Sequence, residues 1–386
     1  MKIAFDAQSL FEEKKTGIGY TVEKIIENME LQDDEFQLNY FLFRNKEAKR
    51  KIIEKYISLG YKAKECIWFP LGIYCKIWNC VPIPYSLFMG SGAQITQFFN
   101  FIIPPGVKGK KSVYIYDMVY EACAETMERE NYEYMKHNME ESSKRANFII
   151  TISEFSKREI VKYLQIDEKK IYVVPCGVDL ETYNSRKNLQ KIEQVKEKFG
   201  IQGDYFLYLG TLEPRKNIPA IIEAYRILKA QSETHILKLV IAGKKGWDYE
   251  AIFELVEKYD LTEDVIFTGY ISEEEKCELL KGAMCFLFPS LYEGFGLPPL
   301  EAMACGTPVI VSDRASLPEV VGEAGILVDA EDYDELAVKM KLVSESPEYR
   351  EELSRKGVDR AQNFTWKRAS ELLKEAYKKE CGLGTR

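Results

Sequence analysis

Histidine is scarce in this 386-residue sequence, which has only His137 and His235, and its nine cysteines stand singly with no C-x-x-C pair. Neither a zinc site with ordinary ligand spacing nor a disulfide framework is therefore indicated, and we expect no structural metal. No run of about 18 apolar residues occurs, so the sequence predicts no membrane-spanning helix. A formal net charge of −8 leaves no general excess of basic side chains to neutralise phosphates, so we expect no nucleic-acid partner.

The amino terminus also lacks the pattern of a secretion signal. The first residues, M-K-I-A-F-D, enter a short apolar segment directly, without a charged region and a cleavage site. Unpaired cysteines are typical of a reducing compartment, so we expect a cytoplasmic protein. The length suits two domains of roughly 150 to 200 residues each. No oligomeric state follows from the sequence.

The most informative segment spans residues 284–311, which read as strand, glycine-bearing loop, short helix, turn and strand. Residues 284–288 form the apolar strand, and Gly294 and Gly296 interrupt regular structure. The helix begins near Leu297, with two prolines in its first turn, where proline is tolerated. The free N–H groups and partial positive charge of a helix start predict a seat for phosphate.

Two carboxylates, Glu293 and Glu301, lie on either side of this seat with seven residues between them. Like charges repel, so neither is placed as a phosphate ligand, whereas carboxylates readily accept hydrogen bonds from sugar hydroxyls. The segment therefore suggests a nucleotide sugar. The alternative is a buried strand-loop-helix unit whose glutamates are solvated or cap the helix.

A second cationic motif, Arg215 and Lys216, follows a predicted strand at 205–209. Ligands bind at the carboxyl ends of strands in open parallel sheets, so two cations there can hold a diphosphate and neutralise the charge that builds up as it leaves. A solvated pair of loop residues is the alternative interpretation.

The segment E-G-F-G-L-P-P-L-E-A-M-A-C-G-T-P-V-I resembles the E-x7-E signature of the family-4 (group 1) retaining glycosyltransferases. Five further segments resemble the family in the same order along the chain, at 6–19, 151–160, 171–179, 210–217 and 316–325. The resemblance implies the GT-B fold, an α/β architecture of two Rossmann-like doubly wound parallel-sheet domains facing a cleft. It implies an acceptor-side domain at 1–182, with a carboxyl-terminal helix near 365–386 packing back on it. A linker at 183–203 and a nucleotide-sugar domain at 204–364 complete the expected organisation.

The resemblance also implies roles for particular residues. It places Glu301 on the ribose, and Arg215 and Lys216 on the diphosphate. Glu293 and the backbone of Phe295, Gly296 and Leu297 would surround the sugar. Tyr270 and Ile271 would lie near the base, and Gly17 and Gly19 near the diphosphate and the acceptor. We expect a retaining, metal-independent hexosyltransferase with no cofactor, in which the nucleotide sugar is a co-substrate. The form G-T-L-E-P-R-K-N favours GDP-mannose as the donor, with UDP- or dTDP-sugars as alternatives. The acceptor would be a saccharide or a lipid-linked glycan in bacterial polysaccharide or cell-surface glycan synthesis.

One position departs from the family pattern. The family usually has a His-Asp pair where this sequence has Tyr116 and Asp117, so the resemblance implies a catalytic role for Asp117 and a substrate-binding position for Tyr116. Tyrosine can donate or accept a hydrogen bond, but with a pKa near 10 it is a poorer proton acceptor near neutrality. The substitution keeps open an alternative from another class, a non-catalytic glycosyltransferase-like partner subunit.

Two further segments suggest a surface role. Residues 45–59 form a predicted helix rich in lysine and arginine, which can lie on an anionic membrane or be a solvated face. Residues 66–105 are rich in aromatic residues and proline, and they can form an acceptor site, a membrane-facing lip or part of the core. A peripheral membrane protein that binds the membrane surface is thus a third interpretation.

Overall fold

The computed structural model describes residues 1–12, 16–43, 46–78, 80–127, 129–231 and 237–384. The chain divides into two compact units. The first unit contains Met1–Cys176 and the segment from Trp366 onward, and the second contains Gly177–Thr365. Each unit is built on a parallel sheet with helices, which confirms the expected α/β class of two doubly wound domains.

The first unit is organised around a seven-stranded sheet. Its strands are β1 (Lys2–Asp6), β2 (Glu35–Phe41), β3 (Lys62–Cys66), β4 (Ile95–Phe98), β5 (Lys110–Tyr114), β6 (Phe148–Thr151) and β7 (Ile171–Val173). All neighbouring strands are parallel, in the order β3-β2-β1-β4-β5-β6-β7. The strand order therefore reverses between β1 and β4, where an open sheet leaves a crevice at the carboxyl ends of its strands.

Helices pack against this sheet. They are α1 (Gly17–Asn28), α2 (Lys46–Ser58), α3 (Leu71–Ile77), α4 (Tyr85–Met89), α5 (Val119–Ala122), α6 (Arg129–Arg145) and α7 (Glu154–Leu164). The start of α1 follows from its sequence, because the Thr16 side chain accepts a hydrogen bond from the Gly19 N–H at 3.3 Å. The predicted bounds at Arg44, Asn45 and Glu128 lie outside the described residues.

The second unit repeats the plan with six strands. They are β8 (Tyr205–Leu209), β9 (Lys238–Ala242), β10 (Val265–Gly269), β11 (Cys285–Phe288), β12 (Val309–Ser312) and β13 (Ile326–Val328). The order β10-β9-β8-β11-β12-β13 is again wholly parallel. Its helices are α8 (Leu189–Phe199), α9 (Ile218–Gln231), α10 (Glu250–Lys258), α11 (Glu273–Gly282), α12 (Leu297–Ala304), α13 (Leu317–Val321), α14 (Tyr333–Glu345) and α15 (Pro347–Ala361).

The last helix, α16 (Trp366–Glu380), belongs to the first unit, although the chain reaches it only after the second. Tyr377 on α16 is fully buried and its hydroxyl lies 3.0 Å from Gln97 on β4. Ser370 donates a hydrogen bond to the Ile25 carbonyl on α1 at 3.0 Å. Buried contacts of this kind make α16 part of the core of the first unit.

The structure describes two segments that the sequence analysis discussed. The lysine-rich stretch 183–203, expected as a linker, contains α8, which packs against α11 within the second unit. The aromatic segment 66–105 contains the short helices α3 and α4, and its aromatic side chains are divided between core and surface. Tyr74 is fully buried, whereas Trp68 is 58% exposed. No helix among the described residues is both long enough and apolar enough to cross a bilayer.

Candidate functional site

The loop between β11 and α12 is shaped by its glycine and its prolines. Gly296 caps α12 with φ 113°, a conformation that side chains other than glycine rarely adopt. A Cβ atom added there would lie 2.8 Å from the Leu317 side chain. The Ser316 hydroxyl lies 2.8 Å from the carbonyl oxygens of both Glu293 and Phe295 and can donate a hydrogen bond to either one. This contact stabilises the conformation of the loop. The sequence-predicted strand, loop and helix therefore all form.

The start of α12, where a phosphate site is expected, has two prolines in its first turn. Pro298 and Pro299 occupy the first turn, as predicted. Proline has no N–H, however, so in this turn only Gly296 and Leu297 retain a donor. The prolines that favour the helix start also remove half of the donors that would bind an anion.

Positive charge is instead concentrated beside this loop. Arg215 and Lys216 lie in a 3-10 turn, Pro214–Lys216, that follows β8, and Glu293 follows β11. Because β8 and β11 are parallel neighbours, their carboxyl ends bring these side chains together. Lys216 Nζ lies 2.5 Å from Glu293 Oε1, and Arg215 Nη1 lies 3.1 Å from Glu293 Oε2.

Arg215 makes further contacts that fix its guanidinium. Its Nη2 lies 2.7 Å from Glu213 Oε1, and its Nη1 donates to the Tyr292 carbonyl at 2.7 Å. The side chains of Arg215 and Lys216 are only 18% and 12% exposed. The two cations are therefore held rigidly, with only part of their surface open to a ligand.

Burial and charge shift the pKa values of this cluster. Burial opposes ionisation of Glu293, but the charges of Lys216 and Arg215 outweigh it and hold the pKa of the carboxyl below its usual value. Burial lowers the pKa of Lys216, and the positive charge of Arg215 lowers it further. The negative charge of Glu293 raises this pKa but does not outweigh the effect of burial. A bound anion would stabilise the charged form of Lys216, so binding of a phosphate would be favoured electrostatically at this cluster.

Asn217 is a residue whose structural role the motif alone does not reveal. It adopts φ 54°, and its side-chain amide donates to the carbonyls of Pro289 and Ala330 at 3.1 and 2.8 Å. These bonds tie the turn after β8 to the segments after β11 and β13. The tolerance of asparagine for left-handed backbone is the one sequence signal that could have indicated this role.

Glu301 on α12 pairs with a lysine that sequence reasoning missed. Lys276 on α11 lies 2.8 Å from Glu301 Oε2, and the ring of Tyr183 lies beside the same ammonium group, 5.1 Å from Nζ. Burial raises the pKa of Glu301, with Lys276 opposing the shift, while Glu301 and Glu273 raise the pKa of Lys276 against burial. Lys276 therefore remains charged and limits the proton uptake of Glu301. No spacing rule connects these residues, since they lie on different helices.

Tyr270 and Ile271, expected near the nucleotide base, follow β10 at the edge of the second sheet. Tyr270 is 78% exposed, so its ring is available for stacking. These two residues are not in the ion cluster of Arg215, Lys216 and Glu293.

The remaining predicted residues lie in the first unit. Gly17 begins α1, and no heavy atom of the described residues lies within 4 Å of where its Cβ would stand, so these residues leave the space beside it open. Gly19 is buried, and its N–H is bonded to Thr16. Open space at Gly17 is the feature that the expected approach of a ligand requires.

Tyr116 and Asp117 follow β5. The Tyr116 ring stacks on Tyr114 with centroids 5.3 Å apart, and its buried hydroxyl has no hydrogen-bond partner among the described residues. Burial raises the pKa of Tyr116 well above 10, so this residue stays neutral and cannot serve as a base. Asp117 accepts a hydrogen bond from the Val119 N–H at 3.1 Å.

Comparison with known proteins places these features in a family. Residues 190–360 match the model of glycosyl transferases group 1, and residues 108–182 match that of glycosyltransferase family 4. Over 281 residues the chain is 32% identical to the O-antigen chain mannosyltransferase B of Escherichia coli, covering 72% of each protein. This chain belongs to the group 1, family 4 glycosyltransferases. These matches confirm the resemblance inferred from the sequence motifs.

Two further similarities bear on length and fold. The chain is 30% identical over 234 residues to the serotype-specific mannosyltransferase WbdA of Escherichia coli, a match that covers 60% of this chain and 29% of the longer relative. The solved structure of Anabaena HepE in complex with UDP and glucose superimposes with a TM-score of 0.73 at 16% identity, covering 98% of this chain and all of that one. The family-4 glycosyltransferase described here thus has the GT-B fold of its structural neighbours.

Metal-binding side chains are not clustered in the described part of the chain. Within those residues, no group of three or more histidine, cysteine, aspartate or glutamate side chains is placed to hold a metal ion.

Proposed function

We propose that this chain transfers a hexose from a nucleotide sugar to a saccharide or lipid-linked glycan acceptor, with GDP-mannose as the first donor to test. The observation that carries the proposal is the ion cluster of Arg215, Lys216 and Glu293 at the carboxyl ends of β8 and β11. Mannose is the sugar named in both Escherichia coli relatives, and O-antigen chain synthesis is named in one of them. Glycan synthesis is the process that these names support.

In the proposed reaction Arg215 and Lys216 bind the diphosphate of the donor. As the bond between the anomeric carbon and the diphosphate oxygen breaks, negative charge accumulates on the leaving group, and buried cations stabilise it. The acceptor hydroxyl attacks from the same face, so the configuration is retained, and the departing diphosphate accepts the hydroxyl proton. We propose that the two side chains supply the positive charge for this step without a metal ion.

Glu293 and Glu301 have different roles in the proposed reaction. Glu293 orients both cations, and the remaining lone pairs of its oxygens can accept hydrogen bonds from the transferred sugar. Glu301 accepts hydrogen bonds from the ribose, with Lys276 limiting its protonation. Asp117 and the space beside Gly17 are assigned to the acceptor side.

The first experiment is a thermal-shift panel of GDP-, UDP- and dTDP-sugars, each with Mg²⁺ or EDTA. A ligand at about 100 times its Kd stabilises by roughly 2.7 kcal/mol, which is readily measured. We expect a shift with one nucleotide family, independent of metal. Lys216→Met should reduce transfer by about 10²- to 10³-fold, whereas Lys341→Met on the surface of α14 should not change it. A shift with none of the donors, or full turnover in Lys216→Met, would contradict the proposal.

A non-catalytic partner subunit is the competing function, and Tyr116 is the observation behind it. Tyr116→Phe removes only the buried hydroxyl and keeps the stacked ring. If transfer occurs in wild type and falls at least tenfold in Tyr116→Phe with unchanged donor affinity, the hydroxyl contributes to catalysis. Donor binding without transfer in either protein would favour the partner subunit.

Peripheral contact with the inner face of the plasma membrane, in a cytoplasmic protein, remains a separate proposal. On α2, Ile52 and Ile57 are 37% and 49% exposed among lysines, a composition suited to an anionic membrane surface. Lys55 is already paired with Glu27 and Arg50 with Glu65, which reduces the free charge. Flotation with anionic vesicles should recover the protein, whereas neutral vesicles should not.

A further inference from the structure

A cavity of about 360 Å³ lies within the first unit, at the carboxyl ends of β1, β2 and β4. Asp6 is the last residue of β1, Phe41 of β2 and Phe98 of β4, and all three line it. The strand order reverses between β1 and β4, which is where open α/β sheets bind ligands. The volume lies within the range of small-molecule sites, roughly 300 to 1,000 Å³.

The walls combine aromatic rings with a few polar groups. Tyr74 from α3 and Trp78, which directly follows α3, contribute rings, and Tyr134 from α6 adds another. Gln8 and Asn100 contribute side-chain amides, and Asp6 contributes a carboxylate. Aromatic faces that pack against C–H groups, beside acceptors and donors for hydroxyls, match the two-sided chemistry of a sugar ring.

Asp6 is the polar group that most constrains the ligand. The Gln8 backbone N–H donates to its carboxyl, and burial raises its pKa to about 6. Among the described residues, no lysine or arginine forms an ion pair with it; Lys49, also on the wall, lies over the Phe11 ring at 5.5 Å. Beyond the bond from Gln8, the carboxylate oxygens can accept further hydrogen bonds, and the hydroxyls of a ligand could donate them.

These features discriminate between ligand classes. A phosphate or a nucleotide diphosphate would be repelled by Asp6, and among the described lining residues Lys49 is the one cation that could offset that repulsion. A lipid chain would fit against the rings but would cover the carboxylate without donating any hydrogen bond to it. A neutral sugar satisfies both halves of the cavity.

An outer groove of about 500 Å³ continues from the cavity. It shares Gln8, Phe41, Lys49 and Leu71 with the inner cavity and extends along α3 to Lys76. The groove therefore gives a bound sugar room to continue as a longer chain.

We propose that the inner cavity binds the terminal pyranose ring of a neutral saccharide acceptor, with its hydroxyls donating hydrogen bonds to Asp6 and its ring packed against the aromatic wall. The preceding sugars of the acceptor occupy the outer groove. This assignment rests on the proposed glycosyl-transfer function and specifies its acceptor.

The test measures acceptor and donor binding separately on the full chain. The probes are methyl glycosides of mannose, glucose, galactose and rhamnose, with a matching disaccharide, followed by saturation-transfer NMR and titration. We expect at least one glycoside to bind, the disaccharide more tightly, and Asp6→Asn to weaken binding about tenfold or more by replacing a charged acceptor with a neutral amide. Tyr134→Ala, which removes a ring that is 54% exposed, should weaken it severalfold.

The matched control is Tyr333→Ala, an exposed tyrosine of the second unit that is 42% exposed and does not line the cavity. It should leave glycoside binding unchanged. Donor nucleotide binding should be the same in wild type, Asp6→Asn and Tyr134→Ala.

The outcomes separate this assignment from the wider function. If the donor binds and transfer occurs but Asp6→Asn and Tyr134→Ala leave glycoside affinity and acceptor KM unchanged, the cavity assignment is wrong. If an octyl or prenyl alcohol binds instead, and more tightly in Asp6→Asn, the cavity is a lipid site. If no nucleotide sugar binds in any variant while the glycoside still binds through Asp6, the proposed transfer fails and the saccharide site stands.

Discussion

Asp6 provides a prediction in which loss of a binding group makes the protein more stable. Burial raises the pKa of its carboxyl from 3.8 to about 6, so the folded state favours the neutral acid. Each pKa unit corresponds to about 1.4 kcal/mol, so holding the ionised form in place costs at most about 3 kcal/mol. Because the cavity is open to water, we expect about half of this in practice. Asp6→Asn removes the cost and keeps the shape of the side chain.

The sign of the pH dependence follows from the same shift. The raised pKa makes the contribution of Asp6 most favourable at low pH, and stability is lost as pH rises from about 4 to 6. Asp6→Asn should therefore melt at least about 3 °C higher than wild type at pH 7.5, at roughly 2 to 4 °C per kcal/mol for a unit of this size. Near pH 4 the advantage should shrink to about 0.5 kcal/mol or less. Cys75, which lines the same cavity, stays neutral throughout because burial raises its pKa to about 11.

The assay is thermal unfolding of wild type and variant at several pH values between 4 and 7.5, without ligand. Asp34→Asn is the matched control in the same unit, because Asp34 is paired with the N-terminal ammonium at 2.5 Å and with Lys374 at 3.2 Å. That substitution should lower the melting temperature instead. Equal melting of Asp6→Asn and wild type at pH 7.5, or an advantage that grows on acidification, would refute the reasoning.

Three further substitutions probe the second unit. Glu293→Gln leaves two buried cations without their shared carboxylate, which should cost about 3 to 5 kcal/mol of stability; melting curves should show this loss, with GDP restoring more stability than in wild type. Lys276→Met should weaken GDP binding at pH 7.5, with recovery at higher pH, because the pKa of Glu301 would rise further without its partner; a pH-independent Kd equal to wild type would count against that role. Gly296→Ala would place a side chain at a φ of 113° and in close contact with Leu317, so it should lower the free energy of unfolding by about 2 to 4 kcal/mol. Gly200→Ala, with φ 68° and open space around it, should cost only about 1 kcal/mol, and equal melting temperatures would contradict the steric argument.

Local features of this chain could be predicted because they depend on neighbouring residues. The strand before the loop was expected at 284–288 and occurs at Cys285–Phe288, and α12 begins at Leu297 as its prolines and glycines indicate. The parallel α/β class follows from the alternation of strands and helices. These predictions rest on periodicity and backbone preferences that act over a few residues.

Contacts between distant segments could not be predicted in the same way. Lys216 and Glu293 are 77 positions apart, and only the pairing of β8 with β11 brings them together. The Lys276–Glu301 pair depends on how α11 packs against α12, which no spacing rule specifies. The cavity around Asp6 collects residues from seven separate α-helices and strands, so its aromatic and acidic character cannot be recognised until the sheet order is known.

The position of α16 also determines the order in which the units can mature during synthesis. The second unit is continuous in sequence, whereas the first needs α16, which begins 190 residues after Cys176. At about 5 to 20 residues per second, the ribosome takes roughly 10 to 40 s to cover that distance. Through this interval the sheet surface that receives Tyr377 stays uncovered and available to chaperones, while the second unit can finish folding. The part of the chain made first is therefore the part completed last.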